Sequence, residues 1–225
     1  MNSLSSSWQR VHDRIGAACQ ASGRSPGSVQ LLAVSKTFPA DAVAAVAALG
    51  QRDFGENYVQ EGVDKIVALK SVTGLVWHCI GPLQSNKTRQ VAEHFDWVHS
   101  VDRLKIAQRL SEQRTAHLPP LQVCLQVNTD GGPTKAGVAA ADALALAQAV
   151  AALRAQKWTI AVDALESLVT SADVPQADKR PLLESLVNAS LQTKDDARVV
   201  KWARQYLQDG GANPAVHLAM LQSLT

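Results

Sequence analysis

The chain has few cysteines, little net charge and no long apolar run, and each absence excludes a class of function. Its 225 residues include only Cys19, Cys79 and Cys124, an odd number without CxxC spacing. This argues against a disulfide framework or a cysteine zinc site and favours reduced core thiols in a cytoplasmic protein. A formal net charge of +2 on scattered basic residues gives no footprint for nucleic acid.

Other familiar sites and signals are missing as well. No apolar stretch approaches the length that spans a bilayer, and the amino terminus lacks a signal-peptide pattern, so we expect no membrane association. There is no metal-spaced set of histidines and carboxylates and no Ser-His-Asp order. We therefore predict neither a metal site nor a hydrolase triad.

What is present is a single lysine, Lys36, at the end of an apolar segment. Residues 31–34 are apolar on both faces, as in a strand buried in a parallel sheet, and a helix-compatible stretch, residues 41–49, follows. Ligand groups gather where parallel strands end, and a lysine held there would lose hydration and become a Schiff-base nucleophile near neutral pH. The alternative is a surface lysine that starts a loop.

Two later segments repeat the passage from strand to helix with polar residues at the junction. Residues 53–61 place Gly55 at a turn and Asn57 before a helix, and residues 77–87 place His78 inside a strand. On chemistry alone, Asn57 is equally a cofactor ligand or a helix cap. His78 is equally a pocket residue or a hydrogen-bonded core histidine.

The amino-terminal part alternates strands with helices. A leading helix is predicted over residues 6–21, and helical patterns separate five predicted strands, at residues 30–34, 52–54, 76–80, 97–99 and 122–128. Such alternation indicates a parallel sheet. Because five strands are too few to close a barrel of eight, we expect open edges and partly wetted inward residues such as Val34 and Val127.

The polar segments, taken in order, resemble the pyridoxal phosphate homeostasis protein family over roughly residues 8–153. The resemblance is carried by Val-Ser-Lys-Thr at 34–37, Phe-Gly-Glu-Asn at 54–57 and Trp-His-Cys-Ile-Gly-Pro-Leu-Gln-Ser-Asn-Lys at 77–87, and then by residues 99–102, 125–128 and 135–137. It implies a barrel like the alanine racemase N-terminal domain and pyridoxal 5'-phosphate as cofactor. It further implies a Schiff base on Lys36, with Asn57 and His78 as further cofactor-binding residues, and a carrier role without turnover.

Residues 154–225 depart from that family. The resemblance would continue with a serine- and glycine-rich turn and an Arg-x-Gly strand that cradle the cofactor phosphate, but the only glycines here are Gly210 and Gly211. Without such turns, two or three charge-assisted bonds of about 1.5–3 kcal/mol each would be lost from phosphate binding.

The same residues predict helices. Apolar spacing favours helices at residues 158–169, 180–192 and 196–208, with Gly210 ending the third and Asn213 and Pro214 opening a fourth. A weak repeat of about 38 residues is similar to a tetratricopeptide-type array. We thus predict an α/β fold in which a partial (βα) TIM-type barrel of five parallel strands (1–153) precedes an all-α helical-hairpin tail (154–225).

Three alternatives to a non-catalytic cofactor carrier stay open from the sequence. The same barrel hosts pyridoxal-phosphate-dependent racemases and decarboxylases, although no convincing second acid or base is found. The tail is also compatible with a protein-interaction module that presents a groove to a partner. Finally, the chain is compatible with a truncated fusion that has lost cofactor binding.

Overall fold

A computed structural model describes residues 4–132 and 134–224, in which strands and helices alternate before a run of helices alone. The strands are β1 (Ala33–Val34), β2 (Asp53–Glu56), β3 (Val76–Cys79), β4 (Trp97–Val101), β5 (Gln122–Leu125), β6 (Val127–Asn128) and β7 (Val138–Ala139). The helices are α1 (Leu4–Ala21), α2 (Ala40–Ala48), α3 (Val59–Ala68), α4 (Thr88–His94), α5 (Leu104–Gln113), α6 (Ala143–Arg154), α7 (Trp158–Thr170), α8 (Gln176–Gln192), α9 (Asp196–Gln208) and α10 (Pro214–Gln222).

Strands β1 to β5 form one parallel sheet in chain order, which confirms the α/β prediction. Val34 pairs with Gly55, Gly55 pairs with His78, and His78 pairs with Trp97. Among the residues that the structure describes, this sheet does not close into a barrel, as the strand count predicted, and Val34 is 49% exposed.

Strand β1 is shorter than the predicted strand at residues 30–34. The Gln51 side-chain amide donates to the carbonyl oxygens of Leu31 (2.7 Å) and Asp53 (2.8 Å). A side chain therefore takes the place of a strand neighbour at Leu31, and ladder pairing begins only at Ala33.

The single strand predicted over residues 122–128 is wrong, because the chain changes partners at Gln126. The Gln126 N–H donates to the Val101 carbonyl oxygen (2.9 Å), whereas the Gln126 carbonyl oxygen accepts from the Val138 N–H (2.9 Å). Strand β6 then pairs in parallel with β7, a strand that the sequence did not predict. Gly137 permits this pairing, since a Cβ there would lie 2.6 Å from the Asn128 nitrogen.

Contacts divide the chain into two compact units. Unit 1 comprises residues 1–82, 89–99 and 114–123, and unit 2 comprises residues 83–88, 100–113 and 124–225. In unit 1, the buried Phe54 and Trp77 rings lie 5.8 Å apart. The division at residues 153 and 154 stays a prediction about domains.

Unit 2 contains the helices that the sequence predicted. Helices α6 to α10 pack in succession, with Leu165, Leu183 and Leu186 fully buried in their core. Helix α9 has the predicted bounds, whereas α8 begins at Gln176, ahead of the predicted residue 180. The tetratricopeptide-type repeat stays a prediction.

Helix α9 ends, and helix α10 begins, beside the residues that the sequence predicted as helix ends. Gly210 has a φ of +77° just after α9, a backbone conformation that glycine adopts without strain. The Asn213 side chain accepts from the Ala215 N–H at 3.0 Å and caps α10. Within residues 4–132 and 134–224, every helix is too short or too polar to cross a bilayer.

Candidate functional site

Lys36 lies two residues after Val34, the last residue of β1, at the carboxyl end of the sheet where the sequence placed it. The backbone keeps ladder geometry up to this point, because the Ser35 N–H donates to the Gly55 carbonyl oxygen at 2.9 Å. The Lys36 side chain is exposed and makes no hydrogen bond or ion pair with any residue that the structure describes. The exposed side chain matches the alternative of a surface lysine that starts a loop, and the structure does not show the expected loss of hydration.

The turn that carries Lys36 has an unusual backbone. Thr37 has a φ of +66°, in the left-handed region that a β-branched residue rarely adopts. Its N–H donates to Glu61 Oε1 at 2.6 Å, and the Phe38 N–H donates to the Ser35 carbonyl oxygen at 3.1 Å. Side-chain and backbone acceptors therefore hold the chain just after Lys36.

A buried lysine, Lys65 on α3, lies beside this turn. Its Nζ donates to the Ser35 carbonyl oxygen, to Glu56 Oε1 and to Glu61 Oε1, each at 2.7 Å. Lys65 is 5% exposed and Glu56 is fully buried. The Ser35 hydroxyl also donates to Glu56 Oε1, at 2.6 Å, so the network joins the ends of β1 and β2 to α3.

Glu61 is the partly exposed member of this network. The hydrogen bond from Lys65 lowers the pKa of Glu61, burial opposes this shift, and the Thr37 N–H lowers the pKa further. Glu61 is therefore ionised at neutral pH and accepts both hydrogen bonds.

Sequence reasoning missed Lys65 and Glu56. The available signal was the spacing of Val59, Gly62, Lys65 and Leu69, which places Lys65 on the apolar stripe of α3. A lysine at such a position needs anionic or carbonyl partners. Glu61 stands four residues before it, at the spacing of a helical ion pair.

Asn57 lies between β2 and α3. Helix α3 has Tyr58 as its N-cap, and no side chain caps it through a hydrogen bond. The structure therefore does not show Asn57 as the helix cap. The Asn57 amide makes no hydrogen bond within residues 4–132 and 134–224. Because Val34 pairs with Gly55, Lys36 and Asn57 each lie two residues beyond a paired position, at the same edge of the sheet.

His78 lies in β3, with both ring nitrogens engaged by protein groups. Nε2 is 3.1 Å from Asp53 Oδ1, and Nδ1 is 2.9 Å from His99 Nε2. The ring stacks on Trp97 with centroids 5.6 Å apart. This geometry matches the alternative of a hydrogen-bonded core histidine, and cofactor binding by His78 stays a prediction.

His99 completes the arrangement as a partly buried neighbour of His78. Burial lowers the pKa of His99, and the nearby charge of His78 lowers it further. The Gln30 amide donates to Asp53 Oδ2 at 2.6 Å, so a chain of four polar side chains crosses β2, β3 and β4. No group of three or more metal-ligating side chains occurs in the part of the chain that the structure describes.

The family model for the alanine racemase N-terminal domain matches residues 13–220. The pyridoxal phosphate homeostasis protein of Pseudomonas aeruginosa is 60% identical over 150 residues, which are 67% of this chain and 65% of that protein. The protein of the same name from Escherichia coli K12 is 56% identical over 155 residues, covering 68% of this chain and 66% of that protein. The chain thus spans just under two thirds of the length of these two relatives.

Two solved structures have a similar fold. PipY from Synechococcus elongatus, in a structure without pyridoxal phosphate, is 32% identical with a TM-score of 0.50, over 86% of this chain and 84% of that one. An unknown protein from Bifidobacterium adolescentis is 25% identical with a TM-score of 0.54, over 82% and 76% of the two chains.

Proposed function

Because this chain belongs to the alanine racemase N-terminal domain family, we propose that it holds pyridoxal 5'-phosphate as a Schiff base on Lys36, without turning over a substrate. The observation that carries this proposal is the exposed Lys36 amine at the carboxyl end of β1, unpaired among the described residues. When the cofactor is bound, its aldehyde would condense with the unprotonated Lys36 amine, so that a C=N bond forms and one water is released. An exposed amine with no competing bond among the described residues is the partner that the aldehyde of pyridoxal 5'-phosphate requires.

Asn57 and His78 are the other proposed cofactor-binding residues. The Asn57 amide is level with Lys36 and has no competing hydrogen bond among the described residues, so it can bind a polar group of the ring. His78 lies one strand further, at the level of Gly55. The exposed side chains of Val34, Phe38 and Tyr58 supply apolar surface next to Lys36 and Asn57 in the sequence.

We expect this chain to bind the phosphate group of the cofactor weakly. The resemblance assigns phosphate binding to turns that residues 154–225 do not contain. We infer that the cofactor is held mainly through Lys36 and more weakly than a full phosphate cradle would allow. A reducing compartment such as the cytoplasm suits the three free thiols of the chain.

The test is the absorbance spectrum of the protein after incubation with pyridoxal 5'-phosphate and desalting. Wild type and Lys70→Ala, which removes another exposed lysine of unit 1, are expected to retain a band near the edge of the visible range. Lys36→Ala is expected to lose it. A band of equal size in Lys36→Ala, or none in folded wild type, would contradict the proposal.

A protein-interaction role remains the second candidate function. The observation in its favour is an open groove of about 730 Å³ in unit 2, whose lining includes Lys105, Glu112, Arg180 and Glu184. Genetic complementation separates the two functions. Cofactor holding requires Lys36, whereas an interaction role survives Lys36→Ala and fails when the charges at the exposed Lys105 and Glu112 are reversed.

A further inference from the structure

We propose that Lys65, Glu56 and Glu61 form a clamp that positions Lys36 by holding the peptide groups on both of its sides. The inference rests on the proposed function of Lys36. None of the three side chains needs to touch the cofactor, so they are positioning residues. We call this set the Lys65 clamp.

The contacts of the clamp are to backbone groups next to Lys36. Lys65 Nζ lies 2.7 Å from the carbonyl oxygen of Ser35, which belongs to the peptide group before Lys36. Glu61 Oε1 lies 2.6 Å from the Thr37 nitrogen, which belongs to the peptide group after Lys36. Lys65 links these two contacts, because its Nζ is also 2.7 Å from Glu61 Oε1.

Burying the charged side chains of Lys65 and Glu56 costs desolvation free energy. Lys65 lies at a core position of α3 and is 5% exposed, and its partner Glu56 is fully buried with Oε2 lacking any hydrogen bond in the described structure. An apolar residue in place of such a buried ion pair is often neutral or stabilising. The stability of the fold alone therefore gives no reason for a lysine at this position.

Backbone strain points to the same role. Thr37 adopts a φ of +66°, and strained residues persist where surrounding groups hold them in place. Glu61 supplies that hold through the Thr37 N–H. The Cα of Lys36 is thereby fixed while its side chain stays free in water, so the amine reaches a limited volume beside the sheet edge.

Hydrogen exchange of the Thr37 amide tests the clamp without any cofactor. In Glu61→Ala this amide loses its acceptor, and we expect its protection to fall by about tenfold. Glu61→Gln keeps a side-chain oxygen in place and is expected to retain most of the protection. Asp64→Ala, which removes an exposed carboxylate from the same helix, is the matched control and is expected to change nothing.

Cofactor uptake then tests the consequence for Lys36. We expect Glu61→Ala to reduce the apparent affinity for pyridoxal 5'-phosphate about tenfold, with Glu61→Gln and Asp64→Ala close to wild type. An affinity of Glu61→Ala equal to that of wild type would overturn the proposal. If wild type takes up no cofactor, the proposed function fails by itself, and unchanged Thr37 exchange in Glu61→Ala would then overturn the clamp.

Discussion

The Nδ1 atom of His78 lies 2.9 Å from the Nε2 atom of His99, so one ring donates a hydrogen bond to the other and the accepting nitrogen carries no proton. Asp53 Oδ1 lies 3.1 Å from the second nitrogen of His78 and accepts from it. With Asp53 accepting at Nε2, His78 can donate to His99 only as an imidazolium, and a neutral His78 must accept from His99. Protonating both rings would break the hydrogen bond between them.

The histidine pair predicts that stability falls in mild acid. The pKa of His99 is below its usual value of 6.5, because burial and then the charge of His78 disfavour its protonated form. The unfolded chain therefore binds this proton more readily than the folded chain does. The free energy of unfolding is expected to be greatest above pH 6.5 and to decrease as the pH falls from 6.5 through the lowered pKa.

Denaturant unfolding of wild type and His99→Gln over that pH range checks this expectation. Glutamine keeps a hydrogen-bonding side chain beside His78 but does not titrate, so the variant should lose part of the pH dependence. Asp53 and His78 face the same position and remain in both proteins. Identical slopes of stability against pH would show that His99 does not titrate as described.

Tyr206→Phe is expected to destabilise unit 2 by about 1–3 kcal/mol. The buried Tyr206 hydroxyl donates to Glu184 Oε1 at 2.6 Å and accepts from the Asn213 N–H at 3.1 Å. Burial and then the bond to Glu184 raise the pKa of Tyr206, so the hydroxyl remains a donor. The control in a thermal melt is Tyr58→Phe, since Tyr58 is 63% exposed, and an equal effect of both changes would refute this assignment.

Leu165→Ala is expected to lower the free energy of unfolding of unit 2 by about 2–5 kcal/mol. Leu165 is fully buried in the core of the helices, where truncation leaves a cavity. Leu144→Ala, at a residue that is 69% exposed, removes the same atoms with little expected effect. A small cost at Leu165 would mean that the helices of unit 2 do not pack as described.

Thiol labelling is expected to start at Cys124. Burial raises the pKa of Cys79 to about 11, so little thiolate is present near neutral pH. Cys19 is also buried, whereas Cys124 is partly exposed. Mass spectrometry after brief alkylation should find Cys124 modified first, and all three cysteines should react in denaturant; early labelling of Cys79 would contradict its burial.

Local patterns predicted most of the elements. Helix α9 runs from Asp196 to Gln208, as predicted, because its apolar spacing and the following Gly210 are both local signals. The ends of strands depend on partners that local patterns do not contain. The Gln51 side chain shortens β1, and Gln126 divides one predicted strand between two sheets.

In the candidate site as well, local sequence patterns predicted some features, whereas others depend on contacts between distant residues. Lys36 could be placed from the apolar residues before it, whereas the choice between a desolvated amine and a surface lysine depends on what packs beside the turn. The contact of Lys65 with Ser35 joins residues 30 positions apart. The two alternatives for His78 could be compared only once Asp53 and His99 were placed on neighbouring strands.

The most direct test of the central claim is to locate the covalent adduct. The protein is incubated with pyridoxal 5'-phosphate, reduced with borohydride and digested, and the modified lysine is identified by mass spectrometry. We predict that the adduct lies on Lys36 and that Lys36→Ala carries none above the level of its surface lysines. Modification spread evenly over exposed lysines such as Lys70, with no preference for Lys36, would contradict the proposed function.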